Sequence, residues 1–268
     1  SFLNAAKTER EAVKVIRRMA EERGFEEISK KESLKPGDRV YGVNKDKSMF
    51  LAVIGEEALT SGFHAVGAHI DAPRLDLKQN PLYEDSGFAL FKTHYYGGIK
   101  KYQWVAIPLA LHGVIVRKTG EKVSINIGED ENDPVFCISD LLVHLAQEQM
   151  TKNAKEVVEG EALNLIVGGR PLEGEEKDAV KANVLKLLAD KYGVEEEDFL
   201  SAELEIVPAG KARDMGFDRS MILAYGHDDR VCAYPSMMAV LDYEGTPEYT
   251  LCCIVTDKEE IGSVGATG

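Results

Sequence analysis

Three short clusters in this 268-residue chain hold side chains suited to chemistry: His69-Ile70-Asp71, His227-Asp228-Asp229 and Asp257-Lys258-Glu259-Glu260. His69 and Asp71 stand two residues apart, so on an extended chain they share a face. One ring nitrogen of His69 is then available to a metal, while Asp71 accepts a hydrogen bond from the other and fixes the tautomer. Taken alone, the same pair also reads as a capped strand end with a solvated histidine. Asp228 and Asp229 are adjacent carboxylates that repel unless a cation or a helix N-terminus offsets them. Asp229 suits the cap of a following helix, which leaves Asp228 free to bind metal and to bridge two ions. His227 reads as a bystander. Glu259 and Glu260 point in different directions at a turn. One can ligate a metal while the other, as general base, faces the water that the metal activates. A solvated acidic loop is the plainer reading of that pair in isolation. Gly262 and Gly265 permit tight backbone geometry beside it.

Each cluster follows an apolar run that reads as a strand: FHAVGAHID, SMILAYG and YTLCCIVT. In an open α/β sheet, ligands collect at the carboxyl ends of the strands. Three parallel strands would bring all three clusters to one sheet edge. FHAVGAHID is apolar on both faces, the pattern of a central strand. Imidazole nitrogen and carboxylate oxygen together suit zinc, cobalt or manganese. Competing motifs are missing: there is no GxSxG, no Walker sequence and no GxGxxG after a strand. The YYGG run at 95–98 reads as a turn.

Residues 3–23 have helical periodicity with a charged outer face, and Gly24 suits the helix end. A turn at Pro36-Gly37 leads into the strand RVYGVN, and SMFLAVIG is a second strand. After Asp71 the texture changes to short alternating segments over about 73–130, which read as an antiparallel module. DLLVHLAQEQM (140–150) predicts a helix, 151–177 a loop, KDAVKANVLKLLADKYG a helix ending at Gly193, and EDFLSAELEIVPAG a strand. DDRVCAYPSMMAVLDY predicts the helix after the second cluster. The fold class is therefore α/β, with a β-rich module inserted near 73–209.

A net charge of −14 argues against a nucleic-acid partner, because phosphate neutralisation needs basic surface. A hydrophobic content of 44% supports a full core. Cys137, Cys232, Cys252 and Cys253 form no CxxC pair and read as free thiols of a reducing compartment. No secretory segment opens the chain and no apolar run reaches spanning length, so the expectation is a soluble, cytoplasmic protein without membrane contact.

GAHIDAPRLDLK, YGHDDRV, TDKEEIGSVGATG and, in the inserted module, HYYGGIKKYQW resemble the aspartyl aminopeptidase/aminopeptidase I family of dinuclear metallopeptidases. The resemblance covers the whole chain. It implies a zinc-peptidase-like αβα catalytic domain (residues 1–72 and 210–268) interrupted by a β-rich dimerisation domain (73–209). It implies two divalent ions, zinc foremost, with His69 and Glu260 as ligands, Asp228 as the bridge, Asp71 as support and Glu259 as general base. His144, in DLLVHLAQ, resembles a family histidine that reaches a neighbouring subunit's site; by itself it reads equally as a surface residue. The implied reaction removes one N-terminal residue, often acidic, from a peptide. The implied assembly is a homo-oligomer, dimers stacked into a dodecamer. The family's pattern continues past Gly268 with a further acidic ligand and a final histidine, so the resemblance also implies that this chain is a piece of a longer protein. Two other readings fit the same residues: a related dinuclear deacylase, and an oligomeric scaffold without catalysis.

Overall fold

A computed structural model describes residues 2–268. In chain order the elements are α1 (Phe2–Ala5), α2 (Glu9–Glu21), β1 (Glu26–Glu27), β2 (Arg39–Asn44), β3 (Ser48–Val53) and β4 (Phe63–His69). β5 (Arg74–Asp85), β6 (Phe88–Tyr96), β7 (Leu109–Val116), β8 (Lys122–Ile127), β9 (Leu165–Gly168), α3 (Ala179–Tyr192) and β10 (Glu203–Pro208) follow. The chain closes with β11 (Arg213–Met215), β12 (Met221–Leu223), α4 (His227–Leu241) and β13 (Thr250–Thr256). These elements fall into two compact units. One comprises the described residues up to Ala72 with Lys211–Gly268, the other Pro73–Gly210.

The first unit is built on a five-stranded mixed sheet in the order β1-β2-β3-β13-β4. β13 runs antiparallel to β3 and parallel to β4. Ala12, Val13, Ile16 and Ala20 of α2 join Ala233, Met237, Val240 and Leu241 of α4 in one core with Tyr41, Met49, Leu51, Val53, Cys253 and Val255 of the sheet. Both long helices of this unit therefore cover the same sheet face. Apolar burial of this kind stabilises by roughly 25 cal/mol per Å². The other face carries a smaller cluster of Val40, Ala52 and Ile54.

Helical periodicity predicts one helix over 3–23, but the structure has two. Thr8 restarts the chain with a capping box: its side chain accepts from Glu11 N–H (3.4 Å) and the Glu11 carboxylate accepts from Thr8 N–H (3.2 Å). The carbonyls of Ala6 and Lys7 are drawn out of helical pairing by Arg230, which donates to both. β4 also departs from expectation. Among the described residues it pairs with β13 alone and lies at the sheet edge. Phe63 and Val66 on it are exposed. An apolar run on both faces records which surfaces are suited to cover, not how many strands are hydrogen-bonded beside it. The second cluster's strand is likewise reduced: β12 has three exposed residues and, among the described residues, pairs with β11 alone in a two-stranded ribbon. Cys137, Cys232, Cys252 and Cys253 are free thiols.

The second unit is a six-stranded antiparallel sheet in the order β8-β7-β10-β5-β6-β9. α3 packs on it so closely that a Cβ at Gly168 would meet Val184 at 2.5 Å. The helix ends at Gly193 in the left-handed conformation, as glycine permits. The strand expected from EDFLSAELEIVPAG begins only at Glu203, after a 3₁₀ turn over Glu196–Ser201. Residues 140–150 are turns rather than a helix, with 3₁₀ geometry only at Gln149–Thr151. Asp140 Oδ1 accepts from Leu141 N–H and from Gln149 Nε2, both at 2.8 Å, and ties the segment into a loop. Leu141, Leu142, Val143 and Leu145 stay 55–71% exposed, so among the described residues no surface covers them as an amphipathic helix would require. The 151–177 stretch, expected as loop, contains β9, which pairs with β6. Among the described residues no helix is long and apolar enough to cross a membrane.

Candidate metal centre

Parallel pairing of β4 with β13 sets His69 level with Thr256, so the segments leaving both strands emerge at the same sheet edge. Ile70 N–H continues the ladder by donating to Thr256 carbonyl at 2.8 Å. After β13 the chain turns on buried Asp257. Its backbone N–H donates to Thr267 carbonyl (3.0 Å). Its carboxylate accepts from Lys258 N–H (2.8 Å) and from the Thr267 hydroxyl (2.9 Å). Lys258 takes a left-handed φ of 66°, and Glu259–Ile261 form a 3₁₀ turn closed by Gly262 at φ 90°.

Asp71, 0% exposed, joins the two strand ends. Its Oδ1 accepts from Glu259 N–H and its Oδ2 from Glu260 N–H, each at 3.2 Å. The same Oδ1 accepts from His69 Nδ1 at 3.2 Å, and the Asp71 carbonyl lies 3.1 Å from that nitrogen. A carboxylate held by several N–H groups is a strong, directional anchor. It leaves His69 Nε2 facing outward, 3.1 Å from Asp228 Oδ1 and 3.7 Å from Glu259 Oε2. His69, Glu259 and Glu260 each offer a ligand atom within 4.8 Å of the others.

The electrostatics follow from this crowding of carboxylates. The hydrogen bond to Asp71 is the main reason the His69 pKa rises to about 9. Burial works against the shift, and the charges of Asp71, Asp229 and Glu259 reinforce it. Burial, then Asp228, pushes the Glu260 carboxyl up, with His69 opposing. Burial, then Glu9, raises Asp257, with Lys47 opposing.

Asp228 is not at the end of a sheet strand. It stands at the head of α4, which packs beneath the sheet and so brings it opposite His69. The helix begins irregularly: Gly226 occupies the N-cap position, and Asp228 and Asp229 have non-helical dihedrals. The peptide bond between these two aspartates is cis. Asp229 stands three positions after Gly226, in the irregular start of the helix. Its carboxylate accepts from the Cys232 thiol, raising that thiol's pKa. His227 Nε2 donates to Ile222 carbonyl at 3.0 Å, back to β12. His144 is exposed on the 140–150 turn of the second unit.

His69, Asp71, Asp228, Glu259 and Glu260 are thus brought together, from two strand ends and one helix start rather than from three strand ends. Sequence reasoning assigned no part to Arg230, Lys47 or Thr267, and none to Asp257 beyond its membership of a cluster. Lys47 Nζ lies 2.8 Å from Glu9 Oε1 and 3.9 Å from Asp257 Oδ2, a half-buried partner to the turn that carries Glu259. Only the arginine directly after the paired aspartates offered a local signal.

The donor set fits a divalent metal. One imidazole nitrogen is already oriented by a carboxylate on the far ring nitrogen, the arrangement that metal-ligating histidines use. Its free nitrogen faces three carboxylates whose mutual repulsion a cation would relieve. The sequence matches the family model for aminopeptidase I zinc metalloproteases (M18) over residues 2–268. A probable M18 family aminopeptidase 1 from Clostridium acetobutylicum is 57% identical over 273 residues, covering 100% of this chain and 58% of the relative. The corresponding protein of Thermotoga maritima is 50% identical over 267 residues, again over 58% of its length. The crystal structure of the Thermotoga maritima M18 aminopeptidase superposes with a TM-score of 0.95 at 50% identity, covering 100% of this chain and 58% of that one. Aminopeptidase I from Clostridium acetobutylicum gives 0.92 at 55% identity, over 100% and 59%. The chain spans 58% of the length of these curated relatives. It belongs to the M18 family of aminopeptidase I zinc metalloproteases.

Proposed function

We propose that this chain supplies the metal-binding part of an aminopeptidase that removes N-terminal residues, acidic ones included, from peptides. The observation that carries this reading is the Asp71 carboxylate, which orients a histidine with one oxygen and fixes two consecutive glutamates through their N–H groups. Metal-dependent hydrolysis needs that combination, a ligand and a base held at one place. Family membership and identities of 47–57% over the whole chain support it.

Two divalent ions, zinc foremost, would be held by His69 and Glu260, with Asp228 between them. When bound, such ions polarise the scissile carbonyl and acidify water. Glu259, exposed and lying 3.7 Å from His69 Nε2, takes the proton of the attacking water and delivers it to the leaving amine. Asp71 holds the Nδ1 proton of His69, leaving Nε2 as the ligating atom. The acidic surroundings favour a substrate's free α-ammonium group, which makes the cut an exopeptidase one.

The second unit is proposed as the self-association module, with His144 reaching a neighbouring subunit's centre. The run of exposed Leu141, Leu142, Val143 and Leu145 around His144 supports this, since so much apolar surface on one turn suits an interface. By family resemblance the assembly is a dodecamer built from stacked dimers.

A kinetic panel tests the activity. Aspartyl- and glutamyl-anilides and N-acylated amino acids are offered with zinc and with a chelator. Zinc-dependent release from the anilides is the expected result. Turnover confined to the acylated amino acids would instead indicate a deacylase. Assembly without any turnover would indicate a scaffold.

A further inference from the structure

Arg230 is among the largest side chains fully withdrawn from solvent, at 1% exposure. Its guanidinium makes three divergent hydrogen bonds to main-chain carbonyls. Nε donates to Ala6 (3.0 Å), Nη2 to Lys7 (2.8 Å) and Nη1 to Asp71 (3.2 Å). It also lies under the chain at Gly226: a Cβ there would sit 3.6 Å from Cζ, Nε and Nη1. Gly226 directly precedes His227 and Asp228. One rigid fork therefore touches the link between α1 and α2, the segment that follows His69, and the head of the helix that presents Asp228.

We propose that Arg230 is a positioning residue of the metal centre, setting the distance between the His69–Asp71 segment and Asp228. The proposal rests on the metal-centre reading above. Arg230 and Asp71 are 159 residues apart in sequence, yet the arginine stands two positions from Asp228 on the same stretch of chain. The Asp71 carbonyl that accepts from Nη1 also lies 3.1 Å from His69 Nδ1. A shift of that carbonyl therefore moves the environment of the imidazole and the Asp71 carboxylate together. An arginine suits the task because its planar guanidinium serves several acceptors in fixed directions at once. A lysine ammonium is a single point on a flexible stem. Arg39 provides the internal contrast. It donates to Tyr243 carbonyl (2.9 Å) and to Leu241 carbonyl, holding the opposite end of α4 in the same way but far along the helix from Asp228.

The test compares the unmodified protein with Arg230→Met, Arg230→Lys and Arg39→Met. Two quantities are read: zinc affinity, by competition with a chromophoric chelator, and the ring resonances of His69 in metal-free protein. Arg230→Met is expected to weaken zinc binding about 10-fold or more, the usual consequence of losing a partner behind a ligand, and to shift the His69 Nδ1 resonance. Arg230→Lys should recover part of both. Arg39→Met should lower thermal stability and leave both quantities unchanged. Folded Arg230→Met protein with unaltered zinc affinity and unaltered His69 resonances would overturn the proposal. So would an equal loss of zinc affinity in Arg39→Met, which would mark the effect as general loosening. Should Arg230→Met not fold, Arg230→Lys decides, and zinc binding equal to the unmodified protein's counts against positioning. If the unmodified protein binds no zinc, the metal-centre reading fails first, and the His69 resonances alone decide whether Arg230 positions this segment.

Discussion

The candidate centre has two halves built to opposite specifications. Asp71 is 0% exposed, and its carboxylate is committed to His69 and to two backbone N–H groups. Asp228 and Glu259, a few ångströms away, have side chains 78% and 58% exposed. The buried half is pre-organised, because a desolvated carboxylate with several donors has little freedom. The exposed half would be free to rearrange around the proposed ion and substrate. The difference separates holding the geometry from doing the chemistry. It also says where substitutions should strike activity, and where they should strike the scaffold.

The sharpest way to break this contrast is Glu259→Gln. Removing the proposed base while keeping its shape should lower kcat by about 10²–10⁴-fold, with zinc content unchanged. A variant retaining most of its kcat would strip Glu259 of that role. Asp71→Ala probes the buried half. It leaves the part-buried Glu259 and Glu260 N–H groups without their acceptor, which should lower stability. Zinc affinity should fall about 10- to 100-fold. Equilibrium unfolding and a zinc titration on the same sample check both, and an unchanged unfolding midpoint would mean that Asp71 anchors nothing.

The gentlest probe is pH. In metal-free protein the His69 pKa is raised from 6.5 to about 9. A group whose folded pKa is raised stabilises fully below its unfolded value and loses that contribution as pH rises through the folded one. Metal-free stability should therefore decline between pH 6.5 and about 9. Zinc must displace the same proton, so its affinity should climb over that window, with proton release at pH 7. Calorimetry in buffers of different ionisation enthalpy measures the release; no release would show that His69 is already neutral.

Much of the architecture was readable from pattern. The alternating segments after Pro73, the helix ending at Gly193 and the apolar strand through Cys252-Cys253 all carry local signals that need no partner to be seen. His69, Asp71, Glu259 and Glu260 were visible as donors because their residue types and spacing at strand ends are chemical facts. What pattern could not show was placement that depends on distant partners. DLLVHLAQEQM has helical spacing, but Asp140 and the lack of a face to pack against hold it as turns. β9 was hidden because LIVG sits inside a Glu-, Lys- and Gly-rich stretch. The roles of Arg230, Asp257 and Thr267 are hydrogen bonds to atoms far away in sequence or to main chain, which no side-chain motif announces.

The long reach of these contacts has a consequence for the order of events during folding. His69 meets Asp228 across 159 residues, and Asp71 meets the Glu259 turn across 188. A nascent chain that has formed only its first strands possesses a histidine and an aspartate, but no cradle. Zinc capture by the proposed ligands would have to wait until β13 has docked between β3 and β4 and α4 has settled beneath them. If the proposed residues are the ligands, metal uptake is a late step, and a zinc-sensitive dye followed during refolding would time the last long-range docking rather than the first collapse.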